Sequence, residues 1–227
     1  MILLALDVES TGLIQDRKVS TSEFEKYPRL VEVAFFLIDT DTREILEKEC
    51  YVIEPNGWEI PDEAIAIHGI STEDALTRGI DLKVVLEKMK VMHDKAAALL
   101  AWNGTYDAKL IRAGCCSVGM EPDLTKIPLI DPMHLSRSHF NIPNQPKDGN
   151  PARKGSKLPK LTEAYELSFG EAMTGAHSAG ADVQGMVDVF FDLLDQGVIT
   201  DEHFKKAFAK NAEIKEKVAA KELAKHK

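Results

Sequence analysis

The sequence predicts an α/β protein built on a mixed five-stranded sheet flanked by helices. Two strand-like segments separated by a polar turn come early in the chain, which predicts an antiparallel hairpin. Further apolar strand segments then alternate with helix-like segments, an order typical of a sheet covered by helices. The 227 residues are enough for one α/β domain with a substantial core.

Five apolar segments are predicted to be strands. Residues 2–8 form an apolar run closed by acids, most simply a central strand. Residues 30–39 and 46–54 are rich in β-branched and aromatic side chains, and they form the predicted hairpin. Residues 96–101 and 127–130 complete the sheet.

Helices are predicted between and after these strands. The strongest helical period begins at Ser178, because apolar residues then recur at steps of three and four until Gly197, which ends the helix. Residues 136–160 are rich in Pro, Gly, Asn and Lys and predict a long, mobile loop. The other predicted helices cover residues 61–67, 71–77, 82–94, 106–113, 161–167 and a final Lys-rich segment that begins after Thr200.

Composition excludes some classes of protein. A hydrophobic content of 44% predicts a globular protein, and a formal net charge of −9 argues against coating nucleic acid with a wholly basic surface. No apolar stretch approaches the ~18 residues of a membrane span, so no membrane partner is expected. The first residues lack a basic leader, and the three cysteines fit neither a disulfide framework nor a zinc spacing. We therefore expect an intracellular, cytoplasmic protein.

Two acids close the first strand. Asp7 and Glu9 are two residues apart, so both side chains point to the same face of the sheet. Two like charges at the end of a central strand are costly unless something positive lies between them. A solvated strand end would also explain this pair, and the pair alone does not decide between the two interpretations.

Two later segments place further acids at the ends of core elements. Asp107 follows a polar turn and lies in the first turn of a predicted helix, where capping alone would also explain it. His177 precedes the long helix, and Asp182 lies one turn inside it. Four acids at the ends of separate core elements, with a histidine beside the last, predict a two-metal phosphodiesterase. Two Mg²⁺ or Mn²⁺ ions ~4 Å apart prefer such oxygen ligands and can activate a water.

These motifs resemble, in order, those of the DEDDh family of 3′–5′ exonucleases, which includes the proofreading epsilon subunit of bacterial DNA polymerase III and ribonuclease T. The resemblance implies a ribonuclease H-like fold. Trp102 and Tyr106 depart from the family, in which many members carry His and Phe. The matching motifs are LDVESTG at residues 6–12, LVEVA at 30–34, IHGIS at 67–71, Asn103 with Asp107, and His177 with Ala179 and Asp182.

The resemblance implies a role for each acidic motif residue. Asp7 would bridge both metal ions, Glu9 and Asp182 would complete the site of the first, and Asp107 would hold the second. His177 would be the general base that takes a proton from the attacking water. Histidine, with a reference pKa of ~6.5, suits that role near neutral pH.

By the same resemblance, four further residues are expected to bind substrate. Thr11 and Gly12 would contact the terminal nucleotide, His68 would lie beside its base, and Asn103 would position the scissile region. Gly12 has no side chain, so a sugar could approach it closely. A loop histidine that caps the chain and a turn asparagine are the structural alternatives for His68 and Asn103.

The resemblance implies a metal-dependent enzyme that releases 5′-mononucleotides from nucleic-acid 3′ ends, with single-stranded DNA favoured. An RNA-trimming or oligoribonucleotide-degrading enzyme of the same family stays open, as does a non-catalytic module bound to a polymerase or replication partner. A phosphatase of the haloacid dehalogenase type also has a strand that ends in paired acids. Its second acid is Asp, whereas this chain has Glu9, and its Gly-Asp-x-x-x-Asp motif is not found.

The resemblance divides the chain into an exonuclease domain, residues 1–197, and a Lys-rich helical extension, residues 198–227. The lysines of the extension are mixed with glutamates, which is typical of a solvated helix. Basic residues of the predicted loop suit phosphate contacts, although solvated loop charges would also explain them. This basic run consists of Arg153, Lys154, Lys157 and Lys160. The sequence does not decide whether the loop or the extension binds nucleic acid.

Overall fold

The protein is described by a computed structural model that covers residues 1–16, 18–146 and 152–225. Its strands are β1 (Ile2–Ser10), β2 (Leu30–Asp39), β3 (Glu44–Val52), β4 (Ala98–Leu100) and β5 (Leu129–Ile130). They form one five-stranded sheet in the order β3-β2-β1-β4-β5. β1 pairs antiparallel with β2 and parallel with β4, β2 pairs antiparallel with β3, and β4 pairs parallel with β5. The predicted mixed sheet with an early hairpin is confirmed.

Seven of the nine helices in the described residues follow predicted segments, with ends that differ by a few residues, whereas the two short helices at Pro132–Leu135 and Arg137–Phe140 were not predicted. Local caps explain several starts: the side chain of Ser71 accepts the Asp74 N–H in a capping box, and Asp81 accepts the N–H groups of Lys83 and Val84. The helices are α1 (Asp62–His68), α2 (Thr72–Arg78), α3 (Leu82–His93), α4 (Thr105–Ser117), α5 (Pro132–Leu135), α6 (Arg137–Phe140), α7 (Leu161–Phe169), α8 (Ala179–Asp195) and α9 (Asp201–Lys225).

The alternation of β1 divides the core into two layers. Leu4 and Leu6 are buried in the apolar layer that includes α3 and α4, whereas Leu3 and Ala5 are buried in the layer that includes α8. Side chains alternate along a strand, so the residues that continue the second face beyond Ala5 are Asp7 and Glu9. The paired acids therefore lie on the α8 side of the sheet.

The prediction of an uninterrupted loop over residues 136–160 is wrong at its beginning, because α6 occupies Arg137–Phe140. The helix follows α5 directly and ends where Asn141 adopts a left-handed conformation, with φ of 46°. Later contacts hold the chain to the domain: Arg137 Nε donates to Ser156 O at 2.8 Å, and Trp102 Nε1 donates to Pro159 O at 3.1 Å. Residues 147–151 of the predicted mobile loop lie outside the described residues.

Within the described part of the chain, no helix is both long and apolar enough to cross a membrane. Cys50, Cys115 and Cys116 are free thiols.

Candidate active site

The C-terminal end of β1 carries the first two acids of the site. Asp7 lies opposite Ala34 of β2, and Glu9 lies opposite Glu32. The register shifts between Glu9 and Ser10, so the chain leaves the sheet directly after the second acid. Both carboxylates are partly buried, and together they form the floor of the site.

The N-terminus of α4 brings Asp107 to the same end of the sheet. The turn before the helix contains Asn103 in a left-handed conformation, with φ of 60°. The Asn103 N–H donates to Asp131 Oδ1 at 3.1 Å, which ties this turn to the end of β5. The side chain of Asp107 in the first helical turn is only 5% exposed, so it faces the protein rather than solvent.

The N-terminus of α8 supplies His177 and Asp182. His177 has a φ of 69°, a conformation uncommon outside glycine that turns the chain sharply before the helix. Its N–H donates to Asp182 Oδ2 at 3.1 Å, so the helical acid fixes the loop that carries the histidine. The His177 side chain is exposed, whereas Asp182 is partly buried.

These three segments meet at one point. Glu9, His177 and Asp182 each offer a ligand atom, and the three atoms lie within 4.8 Å of one another. Asp7 interacts electrostatically with Glu9, Asp107 and Asp182, which places all four acids in one cluster. The structure therefore brings together the five residues that the motifs single out.

Burial and mutual repulsion make this cluster unfavourable for unprotonated carboxylates. Burial, followed by the charges of Asp107, Asp182 and Glu9, raises the pKa of Asp7 well above its usual value. Burial and the charge of Asp182 raise the pKa of Glu9 to about 7. Burial is also the main reason why the pKa of Asp107 rises to about 8 and that of Asp182 rises.

The donor set fits hard divalent cations. The charges that act on Asp7 include those of four carboxylates, Asp107, Asp182, Glu9 and Glu32, which together concentrate negative charge at this point. Carboxylate oxygens with one imidazole are ligands that Mg²⁺ and Mn²⁺ accept. Bound cations would remove the repulsion that raises these pKa values.

Two further acids lie beside the cluster, and the motifs did not identify their roles. Glu32, only 6% exposed, adds its charge to those acting on Asp7 and Glu9. Asp131 acts on Asp107 from the end of β5, and burial raises its own pKa. Glu32 lies in the LVEVA segment, but sequence alone indicates only a strand residue there. Asp131 directly precedes a proline, so the sequence alone suggests only a helix cap at this position.

Thr11 and Gly12, the predicted substrate contacts of the first motif, already make hydrogen bonds within the protein. Thr11 Oγ1 accepts the Arg29 N–H at 2.9 Å, so the hydroxyl shapes the turn. Gly12 is exposed with φ of 153°, and no atom of the described residues beyond its chain neighbours lies within 4 Å of where a Cβ would stand. Its carbonyl accepts hydrogen bonds from Ser10 Oγ at 2.9 Å and from Tyr106 Oη at 3.0 Å. The open side of Gly12 leaves room for a ligand.

His68 carries a buried polar atom without a partner. Its Nδ1 accepts the Ile70 N–H at 3.2 Å, which places the proton of the neutral ring on Nε2. The Nε2 atom is buried and has no hydrogen-bond partner in the described part of the chain. Burial lowers the pKa of His68, and Glu32 acts on it electrostatically. His68 therefore presents a donor that a ligand oxygen near the acidic cluster could satisfy.

Comparison with known proteins agrees with this architecture. Residues 4–190 match the family model described as Exonuclease, RNase_T. The fold is similar to E. coli exonuclease I in complex with a dA16 oligonucleotide, with a TM-score of 0.67 and 16% identity over 90% of this chain and 42% of that one. The zinc ion bound form of the E. coli exonuclease I–ssDNA complex gives 0.68 and 16% over the same shares. Exonuclease I in complex with the inhibitor BCBP gives 0.63 and 14% over 90% and 43%.

At these identities the likeness to solved structures concerns the fold, and it confirms the predicted ribonuclease H-like sheet. The chain spans less than half the length of the exonuclease I chains, 42% in two of these matches. No curated protein matches the chain.

Proposed function

The chain belongs to the exonuclease family of DEDDh type, and from this membership we propose that it is a 3′–5′ exonuclease that hydrolyses single-stranded DNA in a metal-dependent reaction. The observation that carries the proposal is the convergence of Asp7, Glu9, Asp107 and Asp182, with His177, at one end of the sheet. We assign the activity to residues 1–197 and treat residues 198–227 as an extension. Phe204 of that extension packs on Phe190 of α8, with ring centroids 6.5 Å apart.

The four acids would hold two Mg²⁺ or Mn²⁺ ions, with Asp7 bridging, Glu9 and Asp182 at one ion, and Asp107 at the other. Two such ions supply an activated water and stabilise the negative charge that develops on the leaving oxygen. The raised pKa values of Glu9 and Asp107 support this role, because carboxylates that repel one another gain most from bound cations.

His177 suits the role of general base. Its ring is exposed at the mouth of the cluster, next to Glu9 and Asp182, so a water held there lies within its reach. Asp182 fixes the His177 backbone, and this limits the loop positions from which the ring can accept a proton.

The reaction is a hydrolysis of the last phosphodiester. The oxygen of water bonds to phosphorus, and the bond from phosphorus to the 3′ oxygen of the preceding nucleotide breaks. One proton of water passes to His177, which later releases it to solvent, and the leaving 3′ oxygen takes up a proton from solvent. The products are a 5′-mononucleotide and a strand that is one nucleotide shorter with a free 3′ hydroxyl. The open side of Gly12 and the His68 Nε2–H suit the sugar and base of the terminal nucleotide.

The preference for single-stranded DNA is supported by the structures with a similar fold, which are complexes of E. coli exonuclease I with a dA16 oligonucleotide and with ssDNA. A matched RNA strand is the direct comparison, since it carries a 2′ hydroxyl on each sugar. Degradation of the RNA strand alone would reassign the substrate without changing the chemistry.

The test is degradation of a 5′-labelled oligonucleotide with and without Mg²⁺ or Mn²⁺. Wild-type protein should shorten the strand from its 3′ end in single-nucleotide steps, and EDTA should stop it. The Asp7→Asn variant, which removes one charge without changing side-chain size, should lose detectable activity while keeping its fold by circular dichroism. Asp16→Asn, at an exposed position outside the cluster, is the matched control and should behave as wild type. Undiminished, metal-dependent cutting by Asp7→Asn would refute the proposal.

A further inference from the structure

A second concave surface lies next to the acidic cluster. It is a groove of about 1000 Å³ bounded by α4, by the chain from Thr125 through β5 to Leu135, and by α9. Pockets for small ligands cover roughly 300–1000 Å³, so this groove is large for a single nucleotide.

Each helix contributes one continuous face to the groove. On α4 the lining residues Thr105, Ala108, Lys109 and Arg112 are three or four positions apart, which is the spacing of one helical face. On α9 the lining residues follow the same spacing over four turns: His203, Lys206, Ala207, Lys210, Asn211, Ile214, Lys215 and Val218. Three exposed lysines of α9, Lys206, Lys210 and Lys215, therefore lie on the face that lines the groove, which the sequence alone did not indicate.

The groove is cationic in an acidic protein. Among the described residues that line it, Asp131 is the one acid. The cations are Lys109, Arg112, Lys126, Lys206, Lys210 and Lys215. The whole chain has a formal net charge of −9, so the charge of this surface is opposite to that of the protein around it. A clustered patch of this kind attracts a polyanion.

Acidic side chains lie next to two of these cations. Lys126 pairs with Asp123, and Lys206 lies 3.7 Å from Glu202. Both pairs are exposed, and exposed pairs hold their partners weakly, with a median energy of about 0–1 kcal/mol. A phosphate could therefore compete for these lysines. Arg112 is fixed, because its Nε donates to Ala108 O at 3.0 Å.

One end of the groove reaches the acidic cluster. Thr105 and Asp131 line the groove, and Asp131 is also the carboxylate that accepts the Asn103 N–H and acts on Asp107. A strand whose 3′ end lies at the cluster could thus continue into the groove without a break. Apolar side chains, including Leu129, Leu135 and Ile214, form its floor and would pack against bases.

We propose that this groove binds the single-stranded nucleic acid that leads into the acidic site, several nucleotides before the end that is cut. The inference rests on the proposed function, since it assumes that the cluster receives a nucleic-acid end. An acidic amphipathic peptide is the other chemistry that would suit a cationic rim around an apolar floor. Continuity with the acidic cluster favours the nucleic acid, because a peptide that binds in the groove does not require contact with that cluster.

The experiment compares two double charge reversals on the same helix. Lys210→Glu/Lys215→Glu changes the face in the groove, whereas Lys205→Glu/Lys217→Glu changes exposed lysines of α9 that do not line it. Both variants alter the net charge equally, so a difference between them reports position. Circular dichroism checks that α9 remains folded in each.

Binding is measured by fluorescence anisotropy with a labelled oligothymidylate of about 12 nucleotides, within the range of single-strand binding sites, and with a labelled dinucleotide. EDTA prevents cutting, so the measurement does not depend on catalysis. We expect the groove variant to weaken binding of the longer strand at least tenfold and to reduce the slope of log affinity against log salt by about 1.4, the loss of two phosphate contacts. The control variant should change it less than twofold, and the dinucleotide should bind all three proteins alike.

Equal weakening by both variants would show a general charge effect and would overturn the proposal, as would no weakening by either. Loss of binding to a labelled acidic amphipathic peptide, with the oligothymidylate unaffected, would reassign the groove to a protein partner. If the groove variant weakens strand binding but wild-type protein with Mn²⁺ cuts no strand, the groove stands as a binding site and the proposed function fails. If wild-type protein cuts the strand and the groove variant binds it as tightly as wild type, the proposed function stands and the groove is not the binding site.

Discussion

Glu32 Oε2 accepts the Ala179 N–H at 2.7 Å, and this contact joins the middle of the sheet to the first residue of α8. Ser178, the N-cap of α8, makes no side-chain capping bond of its own, and its Oγ lies 3.4 Å from the same carboxylate oxygen. Glu32 also lies directly opposite Glu9 in the β1–β2 ladder. A single buried carboxylate thus caps the helix that carries Asp182 and fixes it relative to the strand that carries Glu9.

We expect Glu32 to act as a positioning residue. Glu32→Ala removes the acceptor for Ala179 and should lower kcat about 10- to 100-fold, the range for residues that orient metal ligands, with little change in KM. Glu32→Gln keeps a carbonyl oxygen at the same place and should restore most of the activity. Steady-state kinetics on an end-labelled oligonucleotide measures both. Full activity of Glu32→Ala would contradict this role, and failure of Glu32→Gln to rescue would indicate that the charge is required.

The positions of the acidic motifs could be predicted because they depend on local patterns. The alternation along β1 places Asp7 and Glu9 on the same face of the sheet. The helical period that begins at Ser178 places Asp182 in the first turn of α8. The contribution of Glu32 could not be predicted, because a glutamate in an apolar strand segment gives no indication of the helix end it meets. That contact joins residues 147 positions apart in the chain and depends on how α8 packs on the sheet.

The metal-free protein should become less stable as pH rises from about 4 to about 8. The pKa of Glu9 is raised to about 7 and that of Asp107 to about 8, whereas carboxyls in unfolded chains have pKa values of ~4. Across that window the folded state therefore holds protons that the unfolded state has released, so the free energy of unfolding falls as pH rises. Thermal melts in EDTA between pH 4 and pH 8 measure this change.

Mn²⁺ should restore the stability that the metal-free protein loses at high pH. The increase in Tm on adding Mn²⁺ should therefore be larger at pH 8 than at pH 5. A Tm in EDTA that rises towards pH 8 would contradict the argument, because ionisation of the buried acids would then not destabilise the fold.

Removing one buried acid should stabilise the metal-free protein while it abolishes activity. Asp107→Asn takes away a carboxylate whose ionisation burial disfavours, so at pH 8 in EDTA we expect Tm to rise by about 2–4 °C or more, the change that ~1 kcal/mol gives in a domain of this size. At pH 5 the rise should be small, because wild-type Asp107 is already protonated there. Glu121→Gln, at an exposed position, is the control and should leave Tm unchanged. A lower Tm for Asp107→Asn at pH 8 would show that the carboxylate stabilises the fold.

The helices and the long loop also show that local sequence patterns do not predict how distant segments pack. Helical spacing predicts which residues of α4 and of α9 share a face. That these two faces pack around β5 depends on the path of the chain after Phe169, which no local pattern specifies. The mixture of Lys and Glu in α9 is typical of a solvated helix, and Lys206, Lys210 and Lys215 are exposed as expected. The sequence alone does not indicate that these three lysines share one groove with α4. The beginning of the predicted loop was misassigned because the four-residue helix α6 is too short to give a helical period.

Tyr106 should affect substrate affinity more than the chemical step. Its hydroxyl donates to Gly12 O at 3.0 Å and joins α4 to the turn after β1. Tyr106→Phe removes one hydrogen bond, worth about 0.5–1.5 kcal/mol, and loosens the turn that should receive the terminal nucleotide. We expect KM to rise about 2- to 10-fold with kcat nearly unchanged. A fall in kcat with constant KM would place Tyr106 in the chemical step instead.

His177 can serve the reaction as a base or as a metal ligand, since its ring lies among the ligand atoms of Glu9 and Asp182. His177→Ala should lower kcat about 10²- to 10⁴-fold, the usual contribution of a general base. If His177 is a base, the four acids still bind the ions, and the Mn²⁺-induced rise in Tm should persist. His139→Ala, at an exposed position on α6, is the control and should retain activity. Loss of the Mn²⁺-induced rise along with activity would make His177 a ligand, and wild-type kcat for His177→Ala would exclude both roles.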